Sequence, residues 1–228
     1  QAVVVIKNGK IISEKYAEGY DKNSHGTSWS MAKSYYAALI GISIDRGEIG
    51  GLDDKVGDYL TYFNDERSEI TIRDLLDMSS GLDFPKDEHE TMFFQEDHLK
   101  YAMGVGVEKS AGLKFEYNNV NSMLLGDILI ATTGKKADVL LKERILDPIG
   151  VTDYKLWKDE NGNVLTYCCV DMSARDYSKI GLLFSRNGNW DGKQLISKQY
   201  IDETFQVVWD ITPERFTTLK RGYSLHWW

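Results

Sequence analysis

Residues 28–46 constrain this chain most. Met31, Ala32, Tyr35, Tyr36, Ala38, Leu39, Ile40, Ile42 and Ile44 cover most of the circumference of a helix. It starts at Ser28 or Trp29, runs to about Arg46 and stops at Gly47. A helix apolar nearly all round belongs in the middle of a domain, so the rest of the chain must wrap it. At its mouth stand Ser30 and Lys33, one turn apart. Residues i and i+3 share a helix face. An unactivated serine is a poor nucleophile, and an adjacent amine held neutral can take its proton. Serine–lysine pairs are a known variant of the serine-nucleophile constellation. Ser-x-x-Lys recurs by chance, so its weight depends on the company it keeps.

The chain of 228 residues can form one large domain or two lobes sharing a site. Lys and Arg number 27 against 35 Asp and Glu, a formal net charge of −8, and no Lys/Arg-rich run occurs. That balance argues against a nucleic-acid binder, which needs a basic stripe. No stretch reaches the ~18 consecutive apolar residues of a membrane span. Residues 1–6 lack the basic and apolar regions of a signal peptide, and periplasmic, secreted and cytoplasmic settings stay open. The two cysteines, Cys168 and Cys169, are adjacent and read as small unbridged core residues.

Residues 2–6 and 10–16 flank Asn8-Gly9, a strong hairpin signal. Residues 52–63 read as an acidic loop with a short helix. Residues 70–78 form a helix with Thr71 as N-cap and Gly81 beyond its end. Residues 83–116, which include Pro85, read as loops and short helices. Further helices are expected over residues 121–133, 136–145, 173–185 and 197–205, and strand character over 223–228. Strands segregated from helices indicate α+β rather than βαβ alternation.

Tyr117-Asn118-Asn119 follows a loop and precedes the residue-121 helix. A phenol can relay a proton to a leaving group. A carboxamide two residues on can hold a lysine and a substrate carbonyl. Taken alone, the triplet reads first as a turn whose asparagines bond local backbone.

With Ser30-x-x-Lys33 and Tyr117-x-Asn119 both present, the chain resembles the serine β-lactamase-like hydrolases. These include class C β-lactamases, DD-peptidases, β-lactamase-fold carboxylesterases and 6-aminohexanoate-dimer hydrolases. Leu52-Asp53-Asp54-Lys55-Val56-Gly57-Asp58-Tyr59-Leu60 is similar to the family's loop after the nucleophile helix. Residues 70–82, 174–181 and 188–193 resemble later family segments, and 222–228 the strand before the third motif. The agreement spans nearly the whole chain in order.

The resemblance implies one β-lactamase/transpeptidase-like domain over 1–228, with an antiparallel sheet flanked by helices and a mostly helical lobe. Residues 1–27 would give the sheet's hairpin, 28–205 the helical lobe, and 206–228 the return toward the sheet. It implies Ser30 as acylated nucleophile, Lys33 as its base or the base's partner, and Tyr117 as proton shuttle. Asn119 would bind substrate and orient Lys33. The Ser30 N–H, at a helix N-terminus, would donate to the oxyanion. No metal or organic cofactor is implied.

The family's third motif, Lys or His with a small residue and Gly, does not occur before Trp228. The last sheet strands are therefore expected to be missing from this chain, leaving a further segment or a second chain to complete the sheet. Asp77-Met78 stands where relatives often carry His–Thr, and Cys168-Cys169 where they often have small residues.

Other motifs fail. His89-Glu90-Thr91-Met92-Phe93 starts like a zinc helix but ends in Phe. His25, His89, His98 and His226 have no ligand spacing and read as solvated or core residues. The loop from Asp21 lacks a calcium-site glutamate, because Ala32 takes position twelve. Gly104-Val105-Gly106 lacks a third glycine. No G-x-S-x-G elbow occurs. Trp29, Tyr36, Trp227 and Trp228 read as core ahead of substrate contact.

The leading expectation is a serine hydrolase that acts through an acyl-enzyme on an ester, amide or lactam of a small-molecule or peptide-like substrate. The alternatives are a penicillin-binding or peptidoglycan-sensing protein that acylates without turnover, and a non-catalytic structural paralogue.

Overall fold

The computed structural model describes residues 1–84, 88–214 and 220–228. Pro85 lies outside the described residues, as do the side chains of His89 and Glu90. Along the chain run strands β1 (Ala2–Lys7), β2 (Lys10–Tyr16) and β3 (His25–Thr27), then helices α1 (Ala32–Asp45), α2 (Ile72–Leu76), α3 (Glu88–Phe93), α4 (His98–Gly104), α5 (Asn119–Thr133) and α6 (Ala137–Leu141). After them come β4 (Tyr154–Leu156), β5 (Val170–Ser173), α7 (Ala174–Ser185), β6 (Asn189–Trp190), β7 (Lys193–Gln194), α8 (Lys198–Thr204), β8 (Trp209–Asp210) and β9 (Gly222–Tyr223). The architecture is α+β, as expected. Its strands pair antiparallel in four small sheets: β1–β2, β3–β5–β4, β6–β7 and β8–β9.

The first hairpin turns on Asn8 and Gly9, both at positive φ (51° and 74°). That geometry matches strand twist and suits Asn-Gly. The register pairs Ala2 with Tyr16 and slips once, between Val5 and Ile6.

Helix α1 is buried from Ala32 to Ser43, which its all-round apolar pattern requires. It packs against α5 and α6. Close approach is built in at Gly41, where a Cβ would lie 2.4 Å from the Tyr200 ring. The Tyr200 hydroxyl donates to the Ala37 carbonyl at 2.7 Å. Arg144 fixes the other end, with a two-pronged contact to Glu48 at 2.7 and 2.8 Å and a bond to the Ser43 hydroxyl.

Several boundaries differ from expectation. The first helix begins with a separate 3-10 turn, Trp29–Met31, and the α-helix proper starts only at Ala32. Ser28 makes no helix cap; its hydroxyl instead accepts the Val170 N–H, binding the turn to β5. Helix α2 stops at Leu76, with Thr71 and Asp74 forming a reciprocal capping box. Residues 136–145 split, because α6 opens into one π turn, Lys142–Leu146. Strand character at the chain's end stops at Tyr223. Leu225 (φ 41°) and His226 (φ 63°) then make a tight reversal that pairs Ser224 with Trp227. Cys168 and Cys169 are buried as expected, but the structure joins them in a disulfide across a cis peptide bond, where the sequence reading had them unbridged.

Candidate active site

The 3-10 turn holds Ser30 on the surface while α1 carries Lys33 inward. Lys33 is only 1% exposed. Its Nζ lies 3.2 Å from Ser30 Oγ, 2.8 Å from Asn119 Oδ1 and 2.8 Å from the Tyr167 carbonyl oxygen. Three acceptors match the three N–H bonds of an ammonium group. Yet no ion pair reaches Lys33 among the described residues. Burial without a counter-ion penalises the charged form and brings its pKa down to about 7. Once neutral, the amine keeps two donors for Asn119 and Tyr167 and turns its lone pair to the Ser30 hydroxyl.

Tyr117 hydrogen-bonds Ser30 and presents its ring to Lys33 Nζ at 4.8 Å from the centroid. Burial raises its phenol pKa, and the bond to Ser30 opposes the rise. Asn118, expected beside Tyr117 on a loop, is instead the N-cap of α5: its side chain accepts the Val120 N–H at 2.8 Å. Asn119 is therefore the first residue of α5 rather than a loop residue, and a helix rather than a loop aims its carbonyl at Lys33. Ser30, Lys33, Tyr117 and Asn119 thus meet in one place from two segments of chain.

Other groups at the site carry no sequence signature. The Tyr167 carbonyl is a backbone atom that residue type does not mark. The Tyr167 hydroxyl sits 2.9 Å from Nδ1 of His98, a buried residue whose pKa burial lowers. His226 is also buried and, although read only as solvated or core, occupies a fully bonded position. Its Nε2 faces the Ser122 hydroxyl at 2.9 Å and its Nδ1 faces the Leu76 carbonyl at 2.8 Å. Nδ1 must carry the proton to satisfy that carbonyl, and Nε2 then accepts from Ser122. Burial, aided by the Lys33 charge, drives the His226 pKa down to about 3. Its carbonyl accepts the Ser34 hydroxyl, tying the C-terminal reversal to α1. Asp77 accepts the neighbouring Leu225 N–H at 2.8 Å, and burial raises its pKa to about 6.

The aromatic residues read as core divide. Tyr36 is core, as read, whereas Trp29 (63% exposed) and Trp228 (68%) face solvent. Trp228 lies 5.7 Å from the Tyr117 ring. His25 stands beside Asp153 on the surface. Among the described residues, no cluster of three or more His, Cys, Asp or Glu is placed to hold a metal ion.

The turn that presents Ser30 ahead of a buried helix, with Lys33, Tyr117 and Asn119 beside it, sits in a β-lactamase/transpeptidase-like fold. A family model described as Beta-lactamase matches residues 1–227, and the chain belongs to that family. Over 177 residues it is 27% identical to the N-acetylmuramyl-L-alanine amidase of Bacillus subtilis (strain 168), covering 64% of this chain and 40% of the amidase. Over 178 residues it is 28% identical to a D-aminopeptidase of Brucella anthropi, covering 69% of this chain and 33% of that protein. The octameric penicillin-binding protein homologue from Pyrococcus abyssi shares its fold, with a TM-score of 0.80 at 19% identity, over 99% of this chain and 59% of that one. The chain thus spans about 40% of the length of the amidase it matches.

Proposed function

We propose that the chain carries the acylation site of a serine hydrolase acting on an ester, amide or lactam. The observation that carries this reading is the buried Lys33 amine, without an ion-pair partner among the described residues and within hydrogen-bond reach of Ser30 Oγ. Neutral Lys33 takes the Ser30 proton as Oγ bonds to the substrate carbonyl carbon. The resulting oxyanion is met by the Ser30 backbone N–H. The carbonyl–leaving-group bond then breaks, and Tyr117 gives its proton to the leaving atom and regains one from Lys33. Water attacks the acyl-enzyme by the reverse relay and frees Ser30 and the acid. Asn119 holds Lys33 with its carbonyl oxygen. The names of the relatives, an amidase and a D-aminopeptidase, favour hydrolysis at C–N bonds of peptide-like substrates.

A fluorophosphonate or a fluorescent penicillin should label Ser30 in the intact protein and leave Ser30→Ala unlabelled. Absence of labelling from about pH 6 to about 9, the range in which burial lets Lys33 lose its proton around a pKa of about 7, would sink the reading. A burst of one product per chain without steady turnover would assign the site to a penicillin-binding sensor instead.

A further inference from the structure

Trp29 immediately precedes the nucleophile and has positive φ (47°), a region that costs a bulky residue backbone strain. It is 63% exposed, so core packing does not account for the indole. Its ring lies 6.3 Å from that of Trp157. Trp157 in turn lies 6.3 Å from Phe93, and Phe93 lies 6.1 Å from Phe94, which is 80% exposed. Phe93 also contacts His98, which stacks on Tyr167 at 5.9 Å. The Tyr167 ring comes within 5.7 Å of Lys33 Nζ. A continuous file of rings therefore leaves the chain at the residue before Ser30 and returns at Lys33. Met31, on the other side of Ser30, is exposed as well.

The file is held from behind. Trp157 donates its indole N–H to Asp171 at 2.8 Å, and Asp171 also accepts the Thr27 hydroxyl. The His98 backbone N–H donates to Asp159 at 3.0 Å. The rings are thus held on a fixed support, and the charged groups anchoring them are carboxylates. An exposed apolar surface contiguous with a nucleophile marks a ligand-binding groove. Carboxylates behind it disfavour an anionic ligand.

We propose that Trp29, Phe93, Phe94 and Trp157 form the acyl-group subsite of the Ser30 centre, selecting substrates with an extended apolar or aromatic uncharged acyl group. This rests on the acyl-enzyme reading above. Tyr117, bonded to Ser30, hands its proton to the leaving group, so the leaving group occupies the Tyr117 side. The Trp29 file is left to the acyl side.

The test compares p-nitrophenyl acetate, octanoate and phenylacetate, which share one leaving group, on the intact protein, Trp29→Ala, Trp29→Phe and Phe94→Ala. Both replaced side chains are exposed, so folding is preserved and is checked by thermal melts. Octanoate and phenylacetate should exceed acetate in kcat/KM by about tenfold or more. Trp29→Ala should lower that ratio about tenfold, mainly through KM for the longer esters, and Trp29→Phe should restore most of it. Acylation of Ser30 with equal kcat/KM for acetate and octanoate would overturn the subsite, as would an equal loss on all esters in Trp29→Ala. If no ester and no fluorophosphonate acylates Ser30, the hydrolase reading fails first and takes the subsite with it.

Discussion

Lys33 Nζ lies 3.2 Å from Ser30 Oγ, yet among the described residues the amine has no anionic partner, in a site that leaves it 1% exposed. The pair is therefore poised by desolvation rather than by a charge relay, and its chemistry follows the protonation of one lysine.

Acylation should accordingly rise with pH. Burial lowers the Lys33 pKa to about 7, and only the neutral amine can take the Ser30 proton. Below that value kcat/KM should fall about tenfold per pH unit, and above it reach a plateau. Stability carries the same signature. A folded pKa below the unfolded value of about 10.4 means that the unfolded chain binds more protons between these limits. Stability should rise with pH across that window, and Lys33→Met should remove the rise. Thermal melts at pH 6.5 and 9 check this, and a Lys33→Met chain with the same pH dependence as the parent would refute it.

Tyr117→Phe should leave the fold intact and slow turnover about 100-fold or more on an amide, where the leaving nitrogen needs a proton. On a p-nitrophenyl ester the loss should be several-fold smaller, because that leaving group departs as an anion. Equal losses on both substrates would remove Tyr117 from the protonation step.

How far these features could be read in advance differs from one to the next. The α1 pattern was legible because twelve buried residues on one helix leave no amphipathic alternative. The Ser30–Lys33 and Tyr117–Asn119 spacings were legible because short local motifs carry their geometry with them. The 3-10 start was not, since it depends on Ser28 being drawn to Val170, which lies 142 residues away in sequence. The reversal at Leu225 and His226 was hidden for a related reason. Positive φ at Leu and His defies local preference and is held by Asp77, Leu76 and Ser34, contacts that exist only after folding. The exposure of Trp29 and Trp228 runs against their expected place in the core, because aromatic side chains dominate cores.

Asn119→Asp tests the cause of the lysine's low pKa. It would place a carboxylate where the Asn119 carbonyl now lies 2.8 Å from Nζ. An opposite charge at that range favours the ammonium form. The acid limb of the kcat/KM profile should move upward by more than one pH unit, with activity at pH 7 reduced at least tenfold. Asn119→Ala should lower activity without that displacement. A profile that stays centred near the parent value in Asn119→Asp would show that desolvation is not what sets the Lys33 charge.

His226 is a structural counterpart to Lys33: a buried titratable group kept neutral, but with both ring nitrogens engaged. Its folded pKa of about 3 lies below the ordinary value of about 6.5. Between these limits the unfolded chain takes up the proton and the folded chain does not, so this residue destabilises the fold as pH falls from 6.5 toward 3. Asp77 acts with the opposite sign in part of the same range. Its pKa is raised to about 6, so it favours the folded state more as pH falls through 6 toward the ordinary value. The two residues adjoin the same reversal, and replacing each alone separates them. His226→Ala leaves the Ser122 hydroxyl and the Leu76 carbonyl without their partner, at a cost of about 1–3 kcal/mol each way of counting the lost bonds. At about 2–4 °C per kcal/mol for a chain of this size, the melting temperature at pH 8 should fall by roughly 2–12 °C. The deficit should shrink on acidification from pH 6.5 to 4.5, because the parent alone then pays for a neutral histidine. Asp77→Asn should show the reverse trend, losing stability relative to the parent as pH drops below 6. Melts of both variants over that range check the assignment, and parallel curves for parent and His226→Ala would rule out a neutral buried imidazole at this position.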